Sequence, residues 1–228
     1  MLIMTASYQE LDRLMGLMTG DEKHSPSATS TLDVLWVLYD RVLSVTPDRV
    51  DDPNRDRFVL SKGHGPMAYY AVLAAKGFIP ESWLPDFGGF DSPLGHHPDR
   101  LLVPGVELSS GSLGHGLPVA VGLAHGLRAQ QNPARVGCLI GDAEYDEGSN
   151  SEAVVYAGSV GLANLTVVVI DNQSASHGWV GGIGQRFAQE QWLVHEVDGR
   201  DHEALLKAFE TTAADRPTAV IARVEPKV

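Results

Sequence analysis

The 228 residues predict an α/β fold: a doubly wound, mostly parallel sheet with helices on both faces. Two observations carry this expectation. From residue 136 onward, short apolar runs alternate regularly with helical patterns, and strands alternating with helices build parallel sheets. The run LTVVVI (165–170) is apolar without interruption, as a strand covered on both faces must be. In such sheets ligands bind outside the carboxyl ends of the strands. The residues that directly follow each strand are therefore where chemistry is sought.

Residues 6–18 predict a helix with Leu11, Leu14, Leu17 and Met18 on one face. The polar loop GDEKHSPSATS follows, and a second helix begins at Ser30 or Thr31 and carries Leu32, Leu35, Trp36, Tyr39 and Leu43. PDRVDDPNRD is a connection rich in Pro and Asp. RFVLS is a short apolar strand leading into KGHG; Pro66 suits the first position of the next helix and Gly77 its end. Residues 80–110, rich in Gly, Pro, Asp and His, predict a loop, and SLGHGLPVAVGLAHGLRAQ is small and apolar, as a tightly packed helix needs. Then come the strand VGCLI, the helix SEAVVYAGSV, the strand LTVVVI, a helix over 183–192, the strand WLVHEV, the helix HEALLKAFETTAA and the strand TAVIARV.

The length suits one domain, residues 1–228, with a sizeable core of its own. Hydrophobic residues make up 43% and charged residues 20%, ordinary for a soluble globular protein. A net charge of −12 argues against a nucleic-acid surface, which needs a basic face. No apolar run reaches membrane-spanning length, and MLIMTASYQE lacks the basic-then-apolar pattern of a signal peptide. The single cysteine, Cys138, sits in an apolar run and is expected to be buried and reduced, so a cytoplasmic location is expected.

Gly141 and Asp142 directly follow VGCLI, and Asp171 and Asn172 end the next strand. Two strands joined by a crossover helix bring both loops to one edge. A carboxylate, an amide carbonyl and a loop backbone carbonyl form a hard oxygen set suited to Mg²⁺ or Ca²⁺, and Mg²⁺ held by so few protein oxygens asks for phosphate ligands. Gly141 is expected to let the backbone turn sharply beside the ligand. Ser149 and Glu152 have capping-box spacing, which predicts a helix start at Ser149 to Ser151 with its amino end toward the same edge. Alone, Gly-Asp-Ala reads as a solvated acidic turn; the second Asp-Asn after the next strand changes that reading.

The series RFVLSKGHG, HPD, PGVELSSGSLGHG, GDAEYDEG and Asp171-Asn172 resembles the transketolase family, specifically its amino-terminal thiamine diphosphate-binding domain, from about residue 10 to 225. The resemblance implies the thiamine diphosphate-binding fold and assigns roles one residue at a time. Asp142, the Asn172 side chain and the Ser174 backbone carbonyl would hold Mg²⁺ (or Ca²⁺). His64 would contact the diphosphate and face the reacting centre, while Gly111 and Leu113 would lie along the aminopyrimidine ring and Gly141 and Ala143 beside the diphosphate. His97 would bind the hydroxyls of a ketose donor, with His96 an alternative, and His24 falls where the family has an active-site histidine. Glu147 would link to the catalytic Glu of a partner domain. His125, His195 and His202 are expected to be solvated or structural, and His115 carries no assigned role. Ala143 replaces the last Gly of the family's Gly-Asp-Gly, which requires a negative φ there. Ser176, Gln173 and His177 make NQSASHGW more polar than the family pattern.

In this family the cofactor carries the hard chemistry. The acid that activates it belongs to a pyrimidine-binding domain that these residues do not include. The resemblance therefore implies one half of a split transketolase, inactive alone, that transfers a two-carbon ketol unit between sugar phosphates. Its partner subunit would carry the pyrimidine-binding and carboxyl-terminal domains in an α2β2 assembly. A 2-oxo-acid dehydrogenase or other decarboxylating thiamine enzyme is the first alternative, and a non-catalytic cofactor-binding subunit the second. A histidine-based metal hydrolase lacks its His-Glu-x-x-His motif, and no Gly-Lys-Ser/Thr phosphate loop is present.

Overall fold

The computed structural model describes residues 7–19 and 29–226. Five strands form one sheet in the order β1-β2-β3-β5-β4, every neighbouring pair parallel. They are β1 (Arg57–Leu60), β2 (Val136–Gly141), β3 (Leu165–Asp171), β4 (Leu193–Asp198) and β5 (Thr218–Arg223). The helices are α1 (Leu11–Gly16), α2 (Leu32–Val37), α3 (Pro66–Ala75), α4 (Gly116–Ala129), α5 (Gly148–Ser159), α6 (Gly182–Gln189) and α7 (His202–Glu210).

Side-chain alternation along the strands builds two cores. Leu60, Leu139, Val168, Ile170 and Val220 face a cluster with α1, α2, α3 and α7. Val59, Cys138, Ile140, Val167, Val169 and Ile221 face α4, α5 and α6. The sheet is thus sandwiched between two helical layers, and the doubly wound α/β expectation holds. LTVVVI is apolar throughout because each of its two faces meets helices.

Several element ends differ from the sequence expectation. The first helix is shorter, a 3₁₀ turn (Tyr8–Glu10) leading into α1. The second widens after Val37 into a π-helical turn, Leu38–Val42, closed by Leu43 N–H donating to Leu38 O at 2.8 Å; Leu43 itself is extended. α3 ends as expected: Gly77 has φ +79°, its N–H donates to Ala74 O and that of Phe78 to Leu73 O, a Schellman closure. α5 does not start on a Ser149–Glu152 capping box. Glu147 is its N-cap and Gly148 its first residue, because the Ser149 hydroxyl is drawn away to Gly114 O at 2.6 Å.

The segment 80–110 contains a 3₁₀ turn (Glu81–Asp86) and is otherwise irregular. It is tied to α3 by the Tyr70 hydroxyl donating to Gly95 O at 3.0 Å, and to β1 by Arg55 and Arg57 on Glu107 at 2.7 and 3.4 Å. No helix among the described residues is long and apolar enough to cross a membrane.

Candidate functional site

The carboxyl ends of β1, β2 and β3 meet in a cavity of about 180 Å³, lined by Lys62, Gly63, His64, Leu113, Gly141 to Glu144, Asn172 and Ser174. Each strand delivers its residues in register: Leu60 pairs with Leu139, and Gly141 with Ile170. The sheet therefore presents KGHG, GDAE and NQS side by side, and the cavity brings together His64, Leu113, Gly141, Asp142, Ala143, Asn172 and Ser174.

Asp142 is 1% exposed. Its Oδ1 accepts the Ala143 N–H (2.8 Å) and the Ser174 hydroxyl (2.6 Å); its Oδ2 accepts the N–H groups of Ser174 (2.6 Å) and Ala175 (3.2 Å). Asp146 continues the tie, its Oδ2 accepting the N–H of Ser176 at 2.7 Å and of His177 at 3.3 Å. The polar segment after Asn172 is thus fastened to the acidic loop. Asn172 is buried in the same cavity, and its Oδ1 has no hydrogen-bond partner among the described residues. A buried amide oxygen without a donor is unfavourable by roughly 1–3 kcal/mol, and a cation at that position would satisfy it. The residues present therefore fit a hard metal ion with a diphosphate: one carboxylate, one orphaned amide oxygen and a neighbouring loop carbonyl.

Gly141 stays inside β2 and does not make the turn. The turn is made at Asp142, in right-handed helical conformation (φ −58°, ψ −45°), and a Cβ on Gly141 would meet the Lys62 stem only at ordinary contact, 3.4 Å. Ala143 meets its condition: the described non-glycine residues with positive φ are Gln131, Gln173 and Gln191. Its methyl needs no strained backbone.

On the facing wall Gly111 (φ +132°) and Gly114 (φ +78°) bracket Leu113, which leans over Gly63. A Cβ on Gly111 would lie 2.6 Å from the His97 ring, so His97 rests on the loop expected to carry the aminopyrimidine. His96 turns the other way, its ring 5.3 Å from Phe87. Of the pair, His97 lies against the 111–114 loop. Glu147 is exposed at the rim, its side chain beside Gly114. His24 lies outside the described residues. His125 meets the Tyr156 hydroxyl, His195 meets Thr211 O, and His202 meets Asp33; all three lie outside the cavity lining.

Two residues escaped the sequence reading. Lys62, 8% exposed, lines the same cavity as Asp142, with its Nζ on His64 O at 2.9 Å. Glu144, 2% exposed, accepts the Ser61 hydroxyl and the Gly114 N–H (3.1 Å) on Oε1 and the Gly141 N–H (3.3 Å) on Oε2. Burial pushes its carboxyl above the ordinary value, against the opposing pull of those donors and Lys62. Lys62 could have been found by its place in KGHG, two residues before His64. Glu144 had no signal, since an acidic turn reads as solvated.

The family model described as transketolase, thiamine diphosphate-binding domain, matches residues 16–225. The chain belongs to the transketolase family. That family comprises thiamine diphosphate-dependent transferases, and the match covers the domain expected from the motifs. Among curated relatives, one of the subunits of apulose-4-phosphate transketolase from Actinobacillus succinogenes is 38% identical over 209 residues, covering 87% of this chain and 75% of that one. A protein named ferredoxin fas2, from Rhodococcoides fascians, is 56% identical over 219 residues, covering 96% and 72%. Among solved structures, transketolase from Leishmania mexicana superposes with a TM-score of 0.77 at 26% identity, over 96% of this chain and 37% of that one. The chain therefore spans little more than a third of the length of the solved transketolase.

Proposed function

We propose that this chain is the amino-terminal, diphosphate-binding subunit of a split transketolase. With a partner subunit carrying the pyrimidine-binding and carboxyl-terminal domains, it transfers a two-carbon ketol unit from a ketose phosphate to an aldose acceptor. The observation that carries the reading is the convergence of Asp142 and the partnerless Asn172 Oδ1 in one cavity at the sheet edge. Support from relatives comes from the 38% identical protein of Actinobacillus succinogenes, itself named as one subunit of a transketolase.

When bound, thiamine diphosphate supplies the nucleophilic carbon and electron sink for breaking and remaking a carbon–carbon bond. The chain's own residues bind and orient. Asp142, Asn172 Oδ1 and the Ser174 carbonyl hold Mg²⁺ or Ca²⁺, with Asp142 the charged ligand. The Ser174 hydroxyl now sits on Asp142 Oδ1 and can rotate away on one torsion to make room for the cation. Lys62 adds positive charge beside the diphosphate, and His64 stands at the mouth of the cavity. Gly111 and Leu113 form the wall for the ring. His97 and His64 bring ring nitrogens that can hold or pass a proton at sugar hydroxyls. Glu147, exposed at the rim, faces outward where a partner subunit's acid would be met. His24 keeps its proposed place by resemblance. We also place the protein in the cytoplasm, in an α2β2 assembly.

The name ferredoxin does not extend to these residues. Ferredoxin clusters are held by four cysteine thiolates, and even a histidine-ligated Rieske centre needs two; the sequence has one cysteine, Cys138, buried in the core.

The test is to purify the tagged chain from its native cells with thiamine diphosphate and Mg²⁺, identify stoichiometric partners by mass spectrometry, and assay the complex. Ketol transfer from a ketose phosphate, lost in Asp142→Ala, supports the reading. Decarboxylation of a 2-oxo acid, with a lipoyl-bearing acyltransferase in the complex, would replace it with the dehydrogenase reading.

A further inference from the structure

Glu144 is a buried carboxylate that the proposed chemistry does not use. It is fixed on three sides, and each side belongs to a different part of the cofactor site. The Ser61 hydroxyl comes from the end of β1, one residue before Lys62 and three before His64. The Gly141 N–H comes from the end of β2, one residue before Asp142. The Gly114 N–H comes from the opposite wall, one residue after Leu113. A second residue of the same segment holds the other side of Gly114: the Ser149 hydroxyl donates to its carbonyl at 2.6 Å. Gly114 has φ +78°, and a Cβ there would meet the Ser149 hydroxyl at 2.6 Å and Glu147 Cβ at 2.7 Å. Both backbone groups of Gly114 are therefore saturated by the 144–149 segment, at a distance only glycine permits.

We infer that Glu144, seconded by Ser149, is a positioning residue that sets the spacing between the diphosphate cradle and the ring-facing loop 111–114. This rests on the thiamine diphosphate reading of the cavity. The ligand it serves is two-ended, a diphosphate at the β2–β3 edge and a ring along Leu113. A two-ended ligand gains affinity at both ends only when they stand at the right separation, since loss of preorganisation is charged against binding. Asp142 and Asn172 hold one end whatever the loop does. Glu144 is what ties the loop to them. Asn150 locks the segment in turn, its amide donating to Glu144 O at 2.7 Å.

The experiment uses the complex of the full chain with its co-purified partner. Thiamine diphosphate is titrated at fixed Mg²⁺, and inorganic pyrophosphate is titrated as its competitor, in wild type, Glu144→Leu and Ser149→Ala. Leucine fills nearly the same space with no acceptor. Glu144→Leu is expected to weaken thiamine diphosphate at least tenfold and Ser149→Ala several-fold, with pyrophosphate binding unchanged within twofold. Equal losses for both ligands would reduce Glu144 to a holder of the fold and overturn the inference, as would wild-type affinity in both variants. Ser149 is half-exposed, so Ser149→Ala decides alone should Glu144→Leu fail to fold. If the wild-type complex binds neither ligand, the reading of the cavity itself falls, a result distinct from a variant-specific one.

Discussion

Asp142 accepts four hydrogen bonds, three of them from backbone N–H groups, and this fixes the carboxylate before any cation arrives. Asp142→Ala removes the proposed site's charged metal ligand and the anchor of residues 174–175 together. The expected outcome is loss of Mg²⁺-dependent thiamine diphosphate binding by the assembled complex, read by calorimetric titration; near wild-type affinity would refute the assignment. Ser174→Ala separates backbone from side chain. If the Ser174 carbonyl is the ligand, as proposed, affinity falls by less than tenfold, about 1.4 kcal/mol, because the hydroxyl is no ligand and its hydrogen bond to the Asp142 carboxylate is given up to the cation in any case. A loss of a hundredfold would mean that the hydroxyl itself binds the cation. Asp142 and Asn172 were legible in the sequence because each directly follows an apolar strand, and parallel topology sends strand ends to one edge. Glu144 was not, because its burial comes from contacts 30 and 83 residues away, with Gly114 and Ser61. That the His97 ring, and not that of His96, rests on Gly111 was likewise not legible in the sequence.

At the scale of elements, α5 lies close to the end of α6. A Cβ on Gly158 would sit 1.8 Å from Glu190 O, and the Trp192 indole N–H donates to Val154 O at 2.9 Å in the same contact. Neither backbone can yield without breaking its helix. Gly158→Ala is therefore expected to destabilise the chain by at least about 2 kcal/mol, seen as a lowered urea midpoint. A second contact ties together the helices of one layer. Asp33, 6% exposed, accepts from the Tyr8 hydroxyl (2.5 Å) and Arg200 (2.7 Å) and meets His202 (2.7 Å), so it joins the turn before α1, α2 and the start of α7. Asp33→Ala leaves Arg200 its ion pair with Glu225 at 2.6 Å but takes the acceptor from the part-buried Tyr8 hydroxyl and from His202, and is expected to lower stability by about 1–2 kcal/mol, measured by the same unfolding curve. Strand and helix order was readable because period and apolarity persist over whole elements. The π-helical turn at Leu38–Val42 and the start of α5 were not. The first depends on how α2 meets the sheet, the second on a serine drawn to a distant carbonyl.

For the whole molecule, the cavity opens to solvent, and Leu113 in its lining is 41% exposed. The isolated chain is expected to show no ketol transfer, with activity rising on addition of the partner to a plateau at one partner per chain; activity of the chain alone would refute the split reading. A subunit of the proposed kind would have to persist before its partner arrives, and the sheet's two borders bear on that. One border is β1, only four residues long. The other is β4, which is half-exposed and carries His195, Glu196 and Asp198. Short and charged borders offer a poor template for strand addition by another chain. Both borders of the sheet are thereby guarded against self-association with a second copy.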